Sequence, residues 1–201
     1  MRRTALAIAT AFAMVLPAGG ALAKAKVLVK TKYYNVSGLS GVALIKSMDK
    51  KGPRHGFMTR AIAQTSYTVG WEFTWERQGR NCRLASANGQ LDMTYTYPKI
   101  GSSVDSGLER RWKSFMAGVR KHEEQHGRMA KDMVRAAERS LKGLKVASDP
   151  RCNRAQTEAK RRIGSVYAKY EAQQVDFDKR EHSSGGNVEH LLYDLMKGDR
   201  E

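Results

Sequence analysis

The sequence predicts an α+β domain, in which a small antiparallel sheet packs on one long helix and a second helix. Three observations carry this expectation. In "TSYTVGWEFTWERQG", Tyr67, Val69, Trp71, Phe73 and Trp75 share one parity, while Thr68, Gly70, Glu72, Thr74 and Glu76 take the other. That alternation marks a half-buried strand. "CRLASANGQLDMTYTYP" repeats it through Leu91, Met93, Tyr95 and Tyr97. Leu108, Trp112, Phe115 and Val119 then step four, three and four residues apart, as one stripe of a helix does.

The elements follow in order. Arg2 and Arg3 precede an uncharged, mostly apolar run from Ala5 to Leu16, and Ala21-Leu22-Ala23 has the small-x-small form of a cleavage signal. Residues 1–23 therefore read as a secretory signal peptide, and residues 24–201 as one domain. The apolar run is short against the roughly 20 residues of a bilayer span. No later stretch is long and apolar enough, so no transmembrane anchor is expected after cleavage. "KVLVKTKYYNVSG" is rich in β-branched and aromatic residues and predicts a first strand. Ser40 is placed to cap a short helix, "GVALIKSMDKKG", with Leu44 and Met48 on one face and Gly52-Pro53 as its stop. Residues 53–60 read as a loop. "RQGRN" turns the chain between the two alternating segments, and Asn88-Gly89 carries a hairpin signal, so three or four strands are expected.

"SGLE" at 106–109 has the form of a capping box, with Ser106 as N-cap and Glu109 three residues on. The long helix is expected to run to about Leu144. Asp149 and Pro150 suit the N-cap and first position of a second helix, expected to reach about Gln173 with Ala155, Ala159, Ile163, Val166 and Tyr170 as its buried stripe. The tail from "VDFDKREHSSGG" onward reads as a loop with a last helical turn.

The long helix contains His122-Glu123-Glu124-Gln125-His126. Continuing the apolar stripe past Val119 lands on His122, His126, Met129 and Met133, so both histidines point inward. Residues four apart project side by side one turn up, and two imidazoles so placed can converge on one ion. Buried together, they need partners, because unpaired polar groups are costly in a core. Zinc supplies that partnership and activates a water, and a neighbouring carboxylate takes the proton. Glu123, about 100° round from His122, is placed for that role. This is the mechanical content of H-E-x-x-H on a helix.

A catalytic zinc takes three protein ligands and keeps one position open. Asp132 points to another helix face. Glu158, one step from the Ala159 stripe, and Asp178 are both candidates, and His182 in "FDKREHSSGG" is the expected third ligand because Ser183-Ser184-Gly185-Gly186 frees its loop to fold back. Tyr167, Tyr170 and His190 are candidates for stabilising an oxyanion. Cys82 and Cys152, an even pair in an exported chain, predict one disulfide closing a loop of about 70 residues.

The chain carries "YYNVSG", Trp71 and Trp75 in W-x-x-x-W before a cysteine, "YP" before the long helix, "W-x-x-F" ahead of "HEEQH", a second cysteine after that helix, and a late D-x-x-x-H-x-x-G from Asp178 through His182 to Gly185. In this order it resembles a bacterial family described as predicted secreted zinc-dependent proteases, over about residues 30–186. The resemblance implies a zincin-like metalloprotease domain with a cysteine bridge. His122 and His126 match its metal ligands, Glu123 its base and His182 its late histidine. A Lys-Arg-Glu run directly precedes that histidine here.

The functional expectation is an exported, periplasmic or secreted zinc metallopeptidase acting on a peptide or protein substrate. A peptide added to the sheet edge by β-augmentation would be the substrate mode. The alternatives are a non-catalytic envelope-binding protein with a structural or relic zinc site, and an amidase of cell-wall peptides. The whole chain holds 36 basic and 20 acidic residues, a net +16. Loss of Arg2 and Arg3 with the leader leaves 34 against 20, or +14. Such charge favours anionic envelope polymers as partners. The cations are spread along the chain and not interleaved with aromatics, so no specific nucleic-acid module is read.

Overall fold

A computed structural model describes residues 25–55 and 59–200. The expected signal peptide, residues 1–23, lies outside the described residues. The architecture is α+β, with a small mixed sheet and four helices. Strand β1 (Lys26–Val36) leads to helix α1 (Gly41–Lys51), the short pair β2 (Arg54–His55) and β3 (Thr59–Arg60), then the long strands β4 (Gln64–Gln78) and β5 (Asn81–Ile100). Helix α2 (Ser106–Leu141), strand β6 (Lys145–Val146), helix α3 (Asn153–Glu181), helix α4 (Asn187–Met196) and a 3-10 turn (Lys197–Arg200) complete it. No helix among the described residues is long and apolar enough to cross a membrane.

The sheet corrects one expectation. Strands β4 and β5 do pair antiparallel, joined at Gly79, which takes φ +60° in the tight turn. Strand β1, however, runs parallel to β5 from Lys26↔Gln90 to Val36↔Ile100, so the sheet is mixed. The chain leaves β1 through α1 before entering β4, and that crossover lets β1 lie on the far edge of β5. Asn88-Gly89 does not turn the chain either. It sits inside β5, with Gly89 opposite Trp71. A Cβ at Gly89 would lie 3.2 Å from the Trp71 ring and from Val134 of α2, so this glycine admits a close approach of sheet and helix.

One sheet face buries Leu91, Met93, Tyr95 and Tyr97 against α2. Gly127 lets that helix approach, because a Cβ there would collide with the Tyr95 hydroxyl. Leu44 and Met48 of α1, Leu108 and Phe115 of α2 and Leu195 of α4 join the same core. The Trp71–Phe73–Trp75 ladder of β4 packs on the other end of the helices, as its parity predicts.

Helix boundaries shift in four places. Asp105, not Ser106, caps α2, accepting from the N–H groups of Gly107 and Leu108 at 2.8 and 2.9 Å. Aspartate is as good an acceptor, and it leaves Glu109 free to pair with Lys113 at 2.7 Å. The helix ends at Leu141, short of Leu144, because Gly143 takes φ +68°. Helix α3 starts at Asn153, after a turn in which Ser148 and Cys152 both have positive φ. Asp149 still caps it at one remove, accepting from the Ala155 N–H at 2.8 Å. The expected disulfide, Cys82–Cys152, is present and ties the start of β5 to the start of α3. Most consequential, α3 continues through Glu181, so the segment "VDFDKRE" is helix rather than loop. No glycine or proline interrupts it, and Phe177 stacks on His122 at 4.9 Å.

The C-terminus is latched by Asp199. Its carboxylate accepts from the Gly41 and Val42 N–H groups at 3.0 and 2.8 Å, capping α1 beside Ser40, and pairs with Arg111 at 3.1 Å. Burial alone would raise the Asp199 pKa, but these N–H groups and Arg111 hold it below the ordinary carboxylate value. A depressed carboxylate stabilises above its unfolded pKa and loses that contribution as pH falls through the folded value. Asp199→Ala is expected to cost about 1 kcal/mol and to lower Tm by about 2–4 °C at neutral pH. Thermal melts of both proteins down the acid range should converge as the wild-type carboxyl protonates. A constant difference at all pH values would assign the loss to packing.

Candidate metal centre

Helix α2 carries both histidines on its buried face, with His122 at 8% and Glu123 at 6% exposure. Their imidazole Nε2 atoms lie 3.2 Å apart. Asp178 of α3 brings Oδ1 to 2.8 Å from His126 Nε2 and 3.4 Å from His122 Nε2. The outer nitrogens are occupied. His126 Nδ1 donates to Gln174 Oε1, and the Gln174 amide donates to the Tyr67 hydroxyl at 3.1 Å. His122 Nδ1 faces Glu181 Oε2 at 3.5 Å, an oxygen that also accepts from Asn187 Nδ2 at 3.1 Å. Binding of a metal would leave the proton on each Nδ1 and turn both Nε2 lone pairs into the centre. Phe177 flanks both rings, 4.9 Å from His122 and 5.1 Å from His126.

Glu123 lies beside this cluster. Its Oε2 accepts from the Thr65 hydroxyl of β4 at 2.6 Å. Tyr97 and Tyr95 stand near it on β5, and burial followed by the surrounding carboxylates raises both phenol pKa values. Asp178 is shifted upward by burial, but the two imidazoles outweigh this and hold it well below the ordinary carboxylate range. Burial depresses His126, and hydrogen bonds accepted by the Asp178 and Gln174 oxygens reverse the shift, for a net rise. Burial and the charge of His122 push His182 down.

Among the expected ligands, His122 and His126 come together, with Glu123 adjacent. His182 is the C-cap of α3, exposed, with its ring 5.5 Å from that of His122. Ligand atoms of His122, Asp178 and His182 all lie within 4.8 Å of one another. Glu158 is elsewhere: Arg161 and Arg162 hold its carboxylate on the outside of α3 and lower its pKa to about 2. Asp132 pairs with Arg135 at 3.3 Å on the outside of α2. The Tyr167 hydroxyl already accepts from Trp71 Nε1 at 2.7 Å. His190 is exposed on α4. Glu181, one of the acidic candidates downstream of the histidine pair, also joins the cluster, and so do Thr65 and Gln174, which the sequence does not single out. Their signal lay in the helical spacing of Gln174, Asp178 and Glu181, legible once α3 is carried past Gln173.

These donors fit zinc. Three lone-pair atoms facing one another repel unless a proton or a metal cation lies among them. Zinc–nitrogen bonds of about 2.0–2.1 Å in tetrahedral geometry place two nitrogens roughly 3.3 Å apart, and the imidazoles stand at 3.2 Å. Two imidazoles and a carboxylate, each steadied by an outer partner, are a familiar zinc donor set.

The family model described as a bacterial protein of unknown function (DUF922) matches residues 31–186. The chain belongs to the DUF922 family. The matched span covers most of β1, all of β4, β5, α2 and α3, and every residue of the cluster except Asn187. No curated protein and no solved structure matches the chain.

Gln174 tests whether the outer partners in this DUF922 domain serve a metal. Gln174→Ala should leave the fold intact by circular dichroism and weaken zinc binding about 10–100-fold, measured by competition with a chromogenic chelator. Unchanged affinity would reduce Gln174 to a link between α3 and Tyr67.

Proposed function

We propose that this DUF922 protein is an exported zinc-dependent metallopeptidase with a zincin-like centre. The observation that carries the reading is the convergence of His122 Nε2, His126 Nε2 and the Asp178 carboxylate beside a buried Glu123. His122 and His126 would hold the metal. Asp178 takes the third place in preference to His182, because its oxygen already lies against both Nε2 atoms, whereas His182 stands at the exposed mouth. Zinc supplies Lewis-acid activation of water and of a carbonyl oxygen.

Glu123 acts as the general base. Its carboxylate receives the proton of the attacking water and passes it to the leaving amine. The Thr65 hydroxyl, bonded to Oε2, fixes which oxygen is free for that exchange. Strand β4 pairs only with β5 among the described residues, so its outer edge is open next to Thr65 and Tyr67. A substrate peptide laid along that edge would run past Glu123 with its main chain hydrogen-bonded to β4.

A second reading has one observation in its favour. His122, His126, Asp178 and His182 together supply four donors, enough to close the coordination of a structural zinc. The basic surface would then be the working part, with an anionic envelope polymer as partner.

The purified chain should carry about one zinc, and His122→Ala/His126→Ala none, by elemental analysis. Glu123→Ala should keep the metal and lower hydrolysis of a peptide library by about 10²-fold or more. Asp178→Ala should lose zinc, and His182→Ala should retain it. Zinc held by all four donors without any peptide cleavage would establish the structural site. Loss of metal and activity together in Glu123→Ala would make Glu123 structural.

A further inference from the structure

The sheet has a second free edge, on the side of β5 away from β4. Strand β1 pairs only with β5 among the described residues, over eleven residues. Its other edge therefore presents a row of backbone N–H and C=O groups to solvent. Such an edge is a template for another strand.

Side chains on this strand divide by parity. Val27, Val29, Thr31 and Tyr33 are opposite Leu91, Met93, Tyr95 and Tyr97, so they share the face turned toward the helices. Helix α2 does not reach under them. Val27 is 39% exposed, Val29 49% and Tyr33 53%. Lys26, Lys30 and Lys32 occupy the opposite face with Leu28.

Beneath the overhang lies a groove of about 640 Å³ between the end of β5 and α2. Trp112 and Met116 form an apolar floor, and Tyr33 lies above it. Lys99 and Arg120 also line it, with Lys113, whose ammonium is paired with Glu109. Arg120 is spread over the Tyr97 ring at 4.8 Å. Cations therefore stand on both faces of the open edge, with apolar surface between them.

Lysines on an edge strand commonly guard against self-association. Here they decide the occupant. Two copies paired edge to edge would bring Lys26, Lys30 and Lys32 of one chain against those of the other, and like charges opposed across strands are destabilising. An acidic strand meets the opposite situation.

We propose that the β1 edge and the groove beneath it form a docking site for an extended acidic segment of a partner protein, added to the sheet as a further strand. Acidic side chains of the segment lie by Lys26, Lys30 and Lys32. Its alternate, apolar side chains lie beside Val29 and Tyr33 and reach the Trp112–Met116 floor. The site is separate from the β4 edge and does not depend on a metal.

The probe is a fluorescent peptide of alternating glutamate and valine, about as long as β1, read by anisotropy on the purified chain. Saturable, salt-sensitive binding is expected, weakened at least about tenfold in Lys30→Glu/Lys32→Glu. The same peptide N-methylated at alternate residues should lose binding to a similar degree, because it cannot complete the strand ladder. All the altered lysines are exposed, and circular dichroism of the variant checks its fold. Absence of saturable binding, or equal binding of the N-methylated peptide, overturns the proposal. Polyphosphate competing as well as the peptide would make the edge a general polyanion surface and overturn it too. Sedimentation showing a dimer that the same lysine variant dissolves would assign the edge to a second copy instead.

Discussion

Two imidazoles on the buried stripe of α2 set the terms for the rest of this structure. His122 and His126 occupy positions where the helix otherwise places Phe115, Val119 and Met133. A polar ring in such a position needs a partner on each nitrogen, or desolvation makes the site unfavourable. The neighbouring helix answers with a polar face of its own. Gln174, Asp178 and Glu181 lie one turn apart on α3 and meet the two rings along their length. The contact between the helices is therefore specified by hydrogen-bond geometry as well as by packing. A shift of one turn would leave each imidazole opposite the wrong group.

The sheet is built to hold β4 above that contact. Thr65 lies on the first turn of alternation in β4, and its parity sends its hydroxyl down to Glu123. That reach depends on how closely β5 rides on α2, which two glycines control from opposite sides. Gly127 makes room for the Tyr95 hydroxyl, and Gly89 makes room for Trp71 and Val134. A side chain at either position would prise the layers apart and lift Thr65 from the carboxylate. Tyr67, two residues on, reaches the cluster only through Gln174. The strand thus touches Glu123 directly and the imidazoles indirectly.

Period and stripe were enough to read the α+β class, the β4–β5 pair, the disulfide and the inward direction of both histidines. Each of these rests on local spacing or on the only available cysteine pair. What was not legible depends on partners distant in sequence. The parallel pairing of β1 is a matter of topology, and eleven residues of strand look alike in either direction. Asn88-Gly89 carries the composition of a turn, but the glycine answers to Trp71 and Val134, which no local window contains. The end of α3 is not legible locally because "VDFDKRE" is mostly polar and lacks an apolar stripe. Its helical state follows from what it faces. Once Phe177 and Asp178 have His122 and His126 as neighbours, continuing the helix satisfies them all. Asp178 and His182 both come to the cluster from the end of this helix.

Helix α3 shows how unevenly its attachment is distributed. Over 29 residues it buries only Ala155, Ala159 and Ile163, all in its first half. Alanines remove little apolar area from water, so the hydrophobic contribution of this helix is small for its length. Its start is held covalently by Cys152, and in the chain-entropy view a bridge across so long a loop stabilises by roughly 4 kcal/mol. Asp178 stands about 40 Å farther along the helix. There the polar cluster does the holding, and its anchoring is conditional in a way a disulfide is not. The imidazoles and the Asp178 carboxylate attract one another only with a proton or a cation among them. The half of α3 that carries Gln174, Asp178 and Glu181 is therefore the part whose contact with α2 rests on polar side chains, beside the packing of Phe177 on both imidazoles.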